Sequence, residues 1–187
     1  NLIKENVFEI SKNVIMTSSE HISGTDRICE AAAKLDLDED TLILNLQGDE
    51  PFIPSDLVTK VINEYNKNQC DVITVSTLIK SDNEITNQNC VLVETDMNGY
   101  ATNFVRTGNI EDPKRHIGIY GYSFKTLNEL VKLKPTKSEL SLKLEQLRFL
   151  ENNYSIYVSE YDEQIPNGID TQEDVENALN FLKNENL

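Results

Sequence analysis

Long apolar runs are absent from this chain. None approaches the length needed to cross a bilayer, and the opening Asn1-Leu-Ile-Lys-Glu lacks the pattern of a signal peptide, so a cytoplasmic protein without membrane insertion is expected. Cysteine is scarce and odd in number. Cys29, Cys70 and Cys90 sit in apolar or mid-element settings with no Cys-x-x-Cys spacing, which argues against a zinc site or a disulfide framework and for reduced thiols. Positive charge is also short, with 17 Lys and Arg against 32 Asp and Glu and a net charge of −15. No basic stripe exists to neutralise a phosphate backbone, which excludes nucleic acid as a partner. Internal repeats, linker-like composition and low-complexity segments are missing too. The 187 residues read as one domain, 1–187, able to bury roughly 70% of the surface its unfolded form exposes. An apolar fraction of 39% is that of a folded globular chain, not a disordered one.

What is present is alternation between helical and strand-like apolar periods. The spacing predicts helices over 2–10 and 25–35, one starting near Pro54, then 126–133, 138–152, and from Thr171 onward. Strands are predicted at 14–16, 41–46, 71–79, 90–94, 100–105, 117–124 and 155–159. Asp96-Met-Asn-Gly99 joins two of them as a hairpin turn. Such alternation with one inserted hairpin implies an α/β fold with a mostly parallel sheet and helices on both faces. In such a sheet, ligands bind in the crevice beyond the carboxyl ends of the strands.

Five stretches carry possible chemistry. Thr41 to Leu46 is an apolar strand that stops at Gln47-Gly-Asp-Glu-Pro51. There Gly48 lets a ligand approach the backbone, Gln47 both donates and accepts, and Asp49 could hold a metal ion against a phosphate. The alternative is a tight acidic turn. In Met16-Thr-Ser-Ser-Glu-His-Ile-Ser-Gly-Thr-Asp-Arg27 a hydroxyl-rich loop with Ser23 turns on Gly24 into a helix capped by Thr25. Free N–H groups at that end and Arg27 in the first turn suit an anion; the plain alternative is a capped helix with a surface arginine. In Arg115-His-Ile-Gly-Ile-Tyr-Gly-Tyr122, alternation puts His116, Gly118, Tyr120 and Tyr122 on one face, which suits polar ligand contact or a structural histidine. Leu144-Glu-Gln-Leu-Arg-Phe-Leu150 has an apolar stripe at 144, 147 and 150, so Glu145 and Gln146 default to a solvated face. In Asn167-Gly-Ile-Asp-Thr-Gln-Glu-Asp174, Thr171 and Asp174 form a capping box that leaves Asp170 just outside the helix.

Together, in this order and spacing, the five stretches closely resemble the 3-deoxy-manno-octulosonate (KDO) cytidylyltransferases. That family's motifs read Met-Thr-Ser-x-x-His-x-Ser-Gly-Thr-Asp-Arg, Asn-x-Gln-Gly-Asp-Glu-Pro, His-Ile-Gly-Ile-Tyr, Leu-Glu-Gln-Leu-Arg and Gly-x-Asp-Thr-x-Glu-Asp. The resemblance runs from about Leu2 to the C-terminus. It implies a Rossmann-like nucleotide-diphospho-sugar transferase fold and an enzyme that couples CTP to KDO, giving CMP-KDO and pyrophosphate for lipopolysaccharide or capsule assembly. It implies Mg²⁺ held by Asp49 and Asp170, which with Arg27 are the expected catalytic residues, and puts Arg27 and Gln47 at the nucleotide or between it and the sugar. His116, Glu145 and Gln146 would hold the sugar hydroxyls or carboxylate, with Arg106 near them and Tyr120 on the same wall. Ser23, Gly24, Thr25 and Gly48 complete the expected substrate contacts, and a homodimer is expected.

The resemblance also implies an N-terminally incomplete domain, because the family's Pro-Ala-Arg-x-x-Ser-x-Arg-Leu-Pro-Gly-Lys loop has no counterpart here. The family's Val-Lys-Val-Val is Val91-Leu-Val-Glu94, and the 107–114 loop is shorter than usual. Three other readings follow: a cytidylyltransferase for a modified KDO or another 2-keto acid sugar, a non-catalytic remnant binding sugar or a partner subunit, and a glycosyltransferase using Asp49 in its metal motif.

Overall fold

The order of elements follows the apolar periods closely. In a computed structural model, which describes residues 2–21, 23–79, 81–107, 110–163, 165–169 and 171–184, the chain runs α1 (Leu2–Ile10), α2 (Gly24–Lys34), β1 (Leu42–Leu46), α3 (Ser55–Lys67), β2 (Val72–Leu78), α4 (Asp82–Thr86), β3 (Leu92–Thr95), β4 (Ala101–Val105), β5 (Lys114–Ser123), α5 (Phe124–Leu130), α6 (Lys137–Leu142), α7 (Gln146–Glu151), β6 (Ile156–Tyr161) and α8 (Gln172–Asn184). The six strands form one sheet in the order β4-β3-β5-β2-β6, with β1 also paired to β5.

The sheet is mixed rather than mostly parallel. Strand β5 is central and reversed: β1, β2 and β3 all pair with it antiparallel, β3 and β4 form the expected hairpin, and only β2 and β6 pair in parallel. The physical reason is that β5 follows a hairpin instead of a crossover helix, so it enters the sheet against the direction of β1, β2 and β6. Reversal has a consequence for the site. It brings the beginning of β5, with His116 opposite Ser76, to the ends of β1 and β2, where Leu46 pairs with Ile119.

Two cores flank the sheet. On one face Val72, Phe104, Tyr122 and Val158 pack with Leu127 and Leu130 of α5 and Leu147 and Phe149 of α7. On the other, Ile73, Val75, Ile117 and Ile119 meet Leu57 and Val61 of α3. Alternation along β5 therefore sorts its residues as expected, with Ile117 and Ile119 opposite Tyr122.

Three local expectations are corrected. Residues 14–16 join no strand among the described residues, and the Met16 carbonyl accepts from Lys34 Nζ instead (2.8 Å). The cap of α2 is Ser23, not Thr25: Ser23 Oγ accepts from Asp26 N, and the Asp26 carboxylate accepts from Ser23 N. The helix predicted over 138–152 is two helices, because Lys143 adopts the left-handed conformation (φ 54°, ψ 47°) and ends α6. Gly99, at φ +83°, makes the turn between β3 and β4 as the sequence demands.

Candidate active site

Beyond Leu46 the chain can no longer pair as strand, and Gln47 to Asp49 fall into a cleft of about 330 Å³ at the strand ends. Gln47, Asp49, Arg106, His116, Tyr120, Glu145 and Gln146, all expected from sequence, line this one cavity. They come from four distant stretches of chain, so their convergence is a tertiary fact.

The acidic side of the cleft is built from two loops. The Ile169 N–H donates to the Asp49 carbonyl (2.8 Å), and a Cβ on Gly168 would stand 3.2 Å from that same oxygen. The Gly48-Asp49 turn and the loop leading to Asp170 are thereby stitched backbone to backbone. Asp170 itself lies outside the described residues. Thr171 and Asp174 form the expected capping box, with Thr171 N and Oγ1 donating to Asp174 Oδ2 (2.8 and 2.7 Å) and Asp174 N donating back to Thr171 Oγ1. Asp49, Glu50 and Asp174 line the cleft, yet among the described residues no three metal-ligating side chains are grouped as a ready cation cage. One or two carboxylates with hard oxygens are what Mg²⁺ takes when phosphates supply its remaining ligands.

The opposite wall comes from β5 and the α6–α7 elbow. Had 138–152 been one helix, Glu145 and Gln146 would face solvent. The Lys143 break instead turns them inward, leaving Gln146 4% exposed. Arg106 holds the elbow by donating to the carbonyls of Leu142 (3.0 Å), Lys143 (3.3 Å) and Gln88 (3.2 Å). The Glu145 carboxylate is fixed at both oxygens: Oε2 accepts from Thr25 Oγ1 (2.6 Å) and Oε1 from Arg148 Nη2 (2.5 Å). Thr25 thus reaches the site through Glu145.

The histidine in β5 packs against two rings. Phe104 lies edge-on to it at 5.3 Å, and Tyr120 is tilted against it at 5.5 Å. Burial pushes the His116 pKa down to about 3, so the ring is neutral at pH 7. Burial, with help from the Glu145 charge, pushes the Tyr120 phenol far above its ordinary value and keeps it protonated.

The α2 loop does not join the cleft. Arg27 donates to Ser18 O (2.9 Å), Thr17 Oγ1 and His21 O (both 3.4 Å), pinning the 17–21 loop to α2. Ser23 is spent on the cap and Gly24 is the first helical residue. Gly48 is beside the cleft, between two of its lining residues.

Sequence reasoning missed Arg115 and Thr74. Arg115 lines the cleft and donates to Ile165 O (2.9 Å) and Pro166 O (3.1 Å), clamping the loop that approaches Asp49. The available signal was a charge inside one strand and hydroxyls (Thr74, Ser76, Thr77) inside another that is buried along most of its length, since buried polar groups require partners.

Comparison with known proteins gives the same picture. A family model described as cytidylyltransferase matches residues 1–163. A 3-deoxy-manno-octulosonate cytidylyltransferase of Polynucleobacter asymbioticus is 39% identical over 181 residues, covering 91% of this chain and 71% of that protein. One from Fusobacterium nucleatum is 38% identical, covering 99% and 78%. A solved CMP:2-keto-3-deoxy-manno-octonic acid synthetase complexed with CTP superposes with a TM-score of 0.88 at 28% identity, over 98% of this chain and 78% of that one. A thymidylyltransferase from Bacillus anthracis shares the fold alone (TM-score 0.66, 10% identity).

Proposed function

The chain belongs to the 3-deoxy-manno-octulosonate cytidylyltransferases, and from that membership we propose that its cleft joins CTP to the eight-carbon acid sugar KDO, releasing pyrophosphate. The observation that carries this reading is the convergence of Gln47 and Asp49 with His116, Glu145 and Gln146 on one cavity at the strand ends. One side is acidic and suits a cation-bound triphosphate; the other is a polar, partly aromatic wall suited to a polyol. The remnant and glycosyltransferase readings are not favoured, because the named relatives are cytidylyltransferases over most of this chain.

In the reaction, the anomeric hydroxyl of the sugar attacks the α-phosphorus of CTP. A new O–P bond forms as the bond to the β-phosphate oxygen breaks, the hydroxyl proton is lost to solvent or base, and pyrophosphate departs. Positioning and charge neutralisation carry most of such a step. Asp49, with Asp170, would hold Mg²⁺, which neutralises phosphate charge when bound. Gln47 and the bare backbone of Gly48 contact the nucleotide. Neutral His116, protonated Tyr120 and Gln146 bind sugar hydroxyls, while Arg106 keeps the elbow in place. Glu145 remains an acceptor for a sugar hydroxyl through its remaining lone pairs. Arg27, Ser23 and Gly24 act on the nucleotide side through the loop they order.

A homodimer, a cytoplasmic location and supply of lipopolysaccharide or capsule assembly belong to the same proposal. Among the described residues no helix is long and apolar enough to cross a membrane.

The test is pyrophosphate release from CTP and KDO with and without Mg²⁺. Release that needs both substrates and the metal supports the proposal. Release from CTP with another 2-keto acid sugar but not KDO would move the assignment to that sugar.

A further inference from the structure

Thr74 lies in the middle of β2 and is fully buried, 0% exposed. Its Oγ1 stands 2.7 Å from the carbonyl of Ile119, 3.4 Å from that of Ile117 and 2.8 Å from His116 Nε2. A threonine hydroxyl has one proton to give. A carbonyl oxygen can only accept, so that proton goes to Ile119 O. The lone pair turned toward His116 must then receive a proton, and only Nε2–H can supply it. From this accounting we infer that Thr74 is a positioning residue that locks His116 as its Nε2–H tautomer, presenting Nδ1 to the cleft as a hydrogen-bond acceptor for a substrate hydroxyl.

The surroundings agree. His116 lines the cleft, and its Nδ1 has no hydrogen-bond partner among the described residues. Phe104 and Tyr120 both pack against the ring, so a flip that exchanged its nitrogens would have to disturb them. Burial keeps the second proton off, which preserves the lone pair at neutral pH. A lone pair attracts O–H and repels carboxylate and phosphate oxygens. His116 therefore reads a hydroxyl, and the sugar carboxylate has to bind elsewhere in the cleft. The hydroxyl assignment rests on the acid-sugar reading of the cleft; the tautomer does not.

The two histidines of the chain, His21 and His116, make the tautomer directly observable. In the ¹⁵N-histidine-labelled chain, with His21→Gln to assign the signals, His116 Nε2 should be pyrrole-like and Nδ1 pyridine-like at pH 7. Thr74→Val, isosteric without the hydroxyl, should mix the tautomers and raise the KM for KDO by about tenfold while leaving that for CTP unchanged. Thr74→Ser should restore both properties. The wild-type spectrum requires no variant to fold: a protonated Nδ1 overturns the proposal outright, as does a Thr74→Val protein that keeps the wild-type tautomer. Adding KDO with CTP should shift Nδ1. If the tautomer is as stated but Nδ1 ignores the sugar, the acid-sugar reading fails and takes the hydroxyl contact with it.

Discussion

Asp49 hangs from a turn whose own carbonyl is tied to Ile169, so its backbone is held while its carboxylate faces the cleft. If it neutralises phosphate charge through Mg²⁺, Asp49→Asn removes that charge while keeping the shape. Turnover should fall by a factor of several hundred, about 3–4 kcal/mol of transition-state stabilisation. Measured kcat within tenfold of wild type would end the assignment. His116 gives a separate prediction, about stability. Its folded pKa of about 3 lies below the ordinary 6.5, so between those values the unfolded chain binds more protons. Stability from keeping it neutral is complete above about pH 6.5 and declines as pH falls toward 3, by up to about 1.4 kcal/mol per pH unit. Urea midpoints at pH 7, 5 and 4 should drop less steeply in His116→Gln than in wild type; equal slopes would refute the buried neutral ring.

At the scale of elements, the two glycines of β5 do different jobs. A Cβ on Gly121 would meet Ile73 Cγ2 at 2.7 Å and Leu44 Cδ2 at 2.9 Å, whereas on Gly118 its nearest neighbours would be the Gln47 and Glu50 side chains, at 3.6 Å or more. Gly121→Ala should cost about 1–3 kcal/mol of stability by overpacking the sheet, read as a shifted denaturation midpoint. Gly118→Ala should fold normally and lose substrate affinity, because it narrows the cleft. The α6–α7 elbow depends on Lys143 in the left-handed region. Lys143→Gly relieves that conformation and should leave stability unchanged or raised by up to about 1 kcal/mol, whereas Lys143→Pro cannot adopt it. Loss of activity in the glycine variant would mean that the lysine side chain, which lines the cleft, contacts substrate.

Across the whole molecule, Arg115 ties the sheet to the loop beside Asp49. Arg115→Lys keeps the charge and loses the two-pronged geometry. The expected result is a several-fold higher Mg²⁺ concentration for half-maximal activity with the KM for KDO unchanged. A raised sugar KM with normal Mg²⁺ dependence would place Arg115 at the sugar instead.

The Thr171–Asp174 capping box, the hairpin turn at Gly99 and the strand that ends at Gln47 were legible because each is specified by a few adjacent residues. The motifs that reveal the family were legible for the same reason. Sequence alone could not show that β5 runs backwards, since pairing direction depends on neighbours 50 or so residues away, such as Val72 and Tyr122. Periodicity alone put Glu145 and Gln146 on a solvated face while the family motif put them at the sugar. They line the cleft, and an unbroken apolar stripe hides the single left-handed residue, Lys143, that turns them there. Nor could the sequence show that Arg27, expected at the nucleotide, also donates to carbonyls of the 17–21 loop and so orders that loop. Local chemistry was thus set by sequence, down to which stretches carry the polar side chains that line the cleft. Which of them meet was decided by long-range strand pairing and by the Lys143 elbow, since bringing Asp49, His116 and Glu145 to one cavity requires contacts that no short stretch of chain contains.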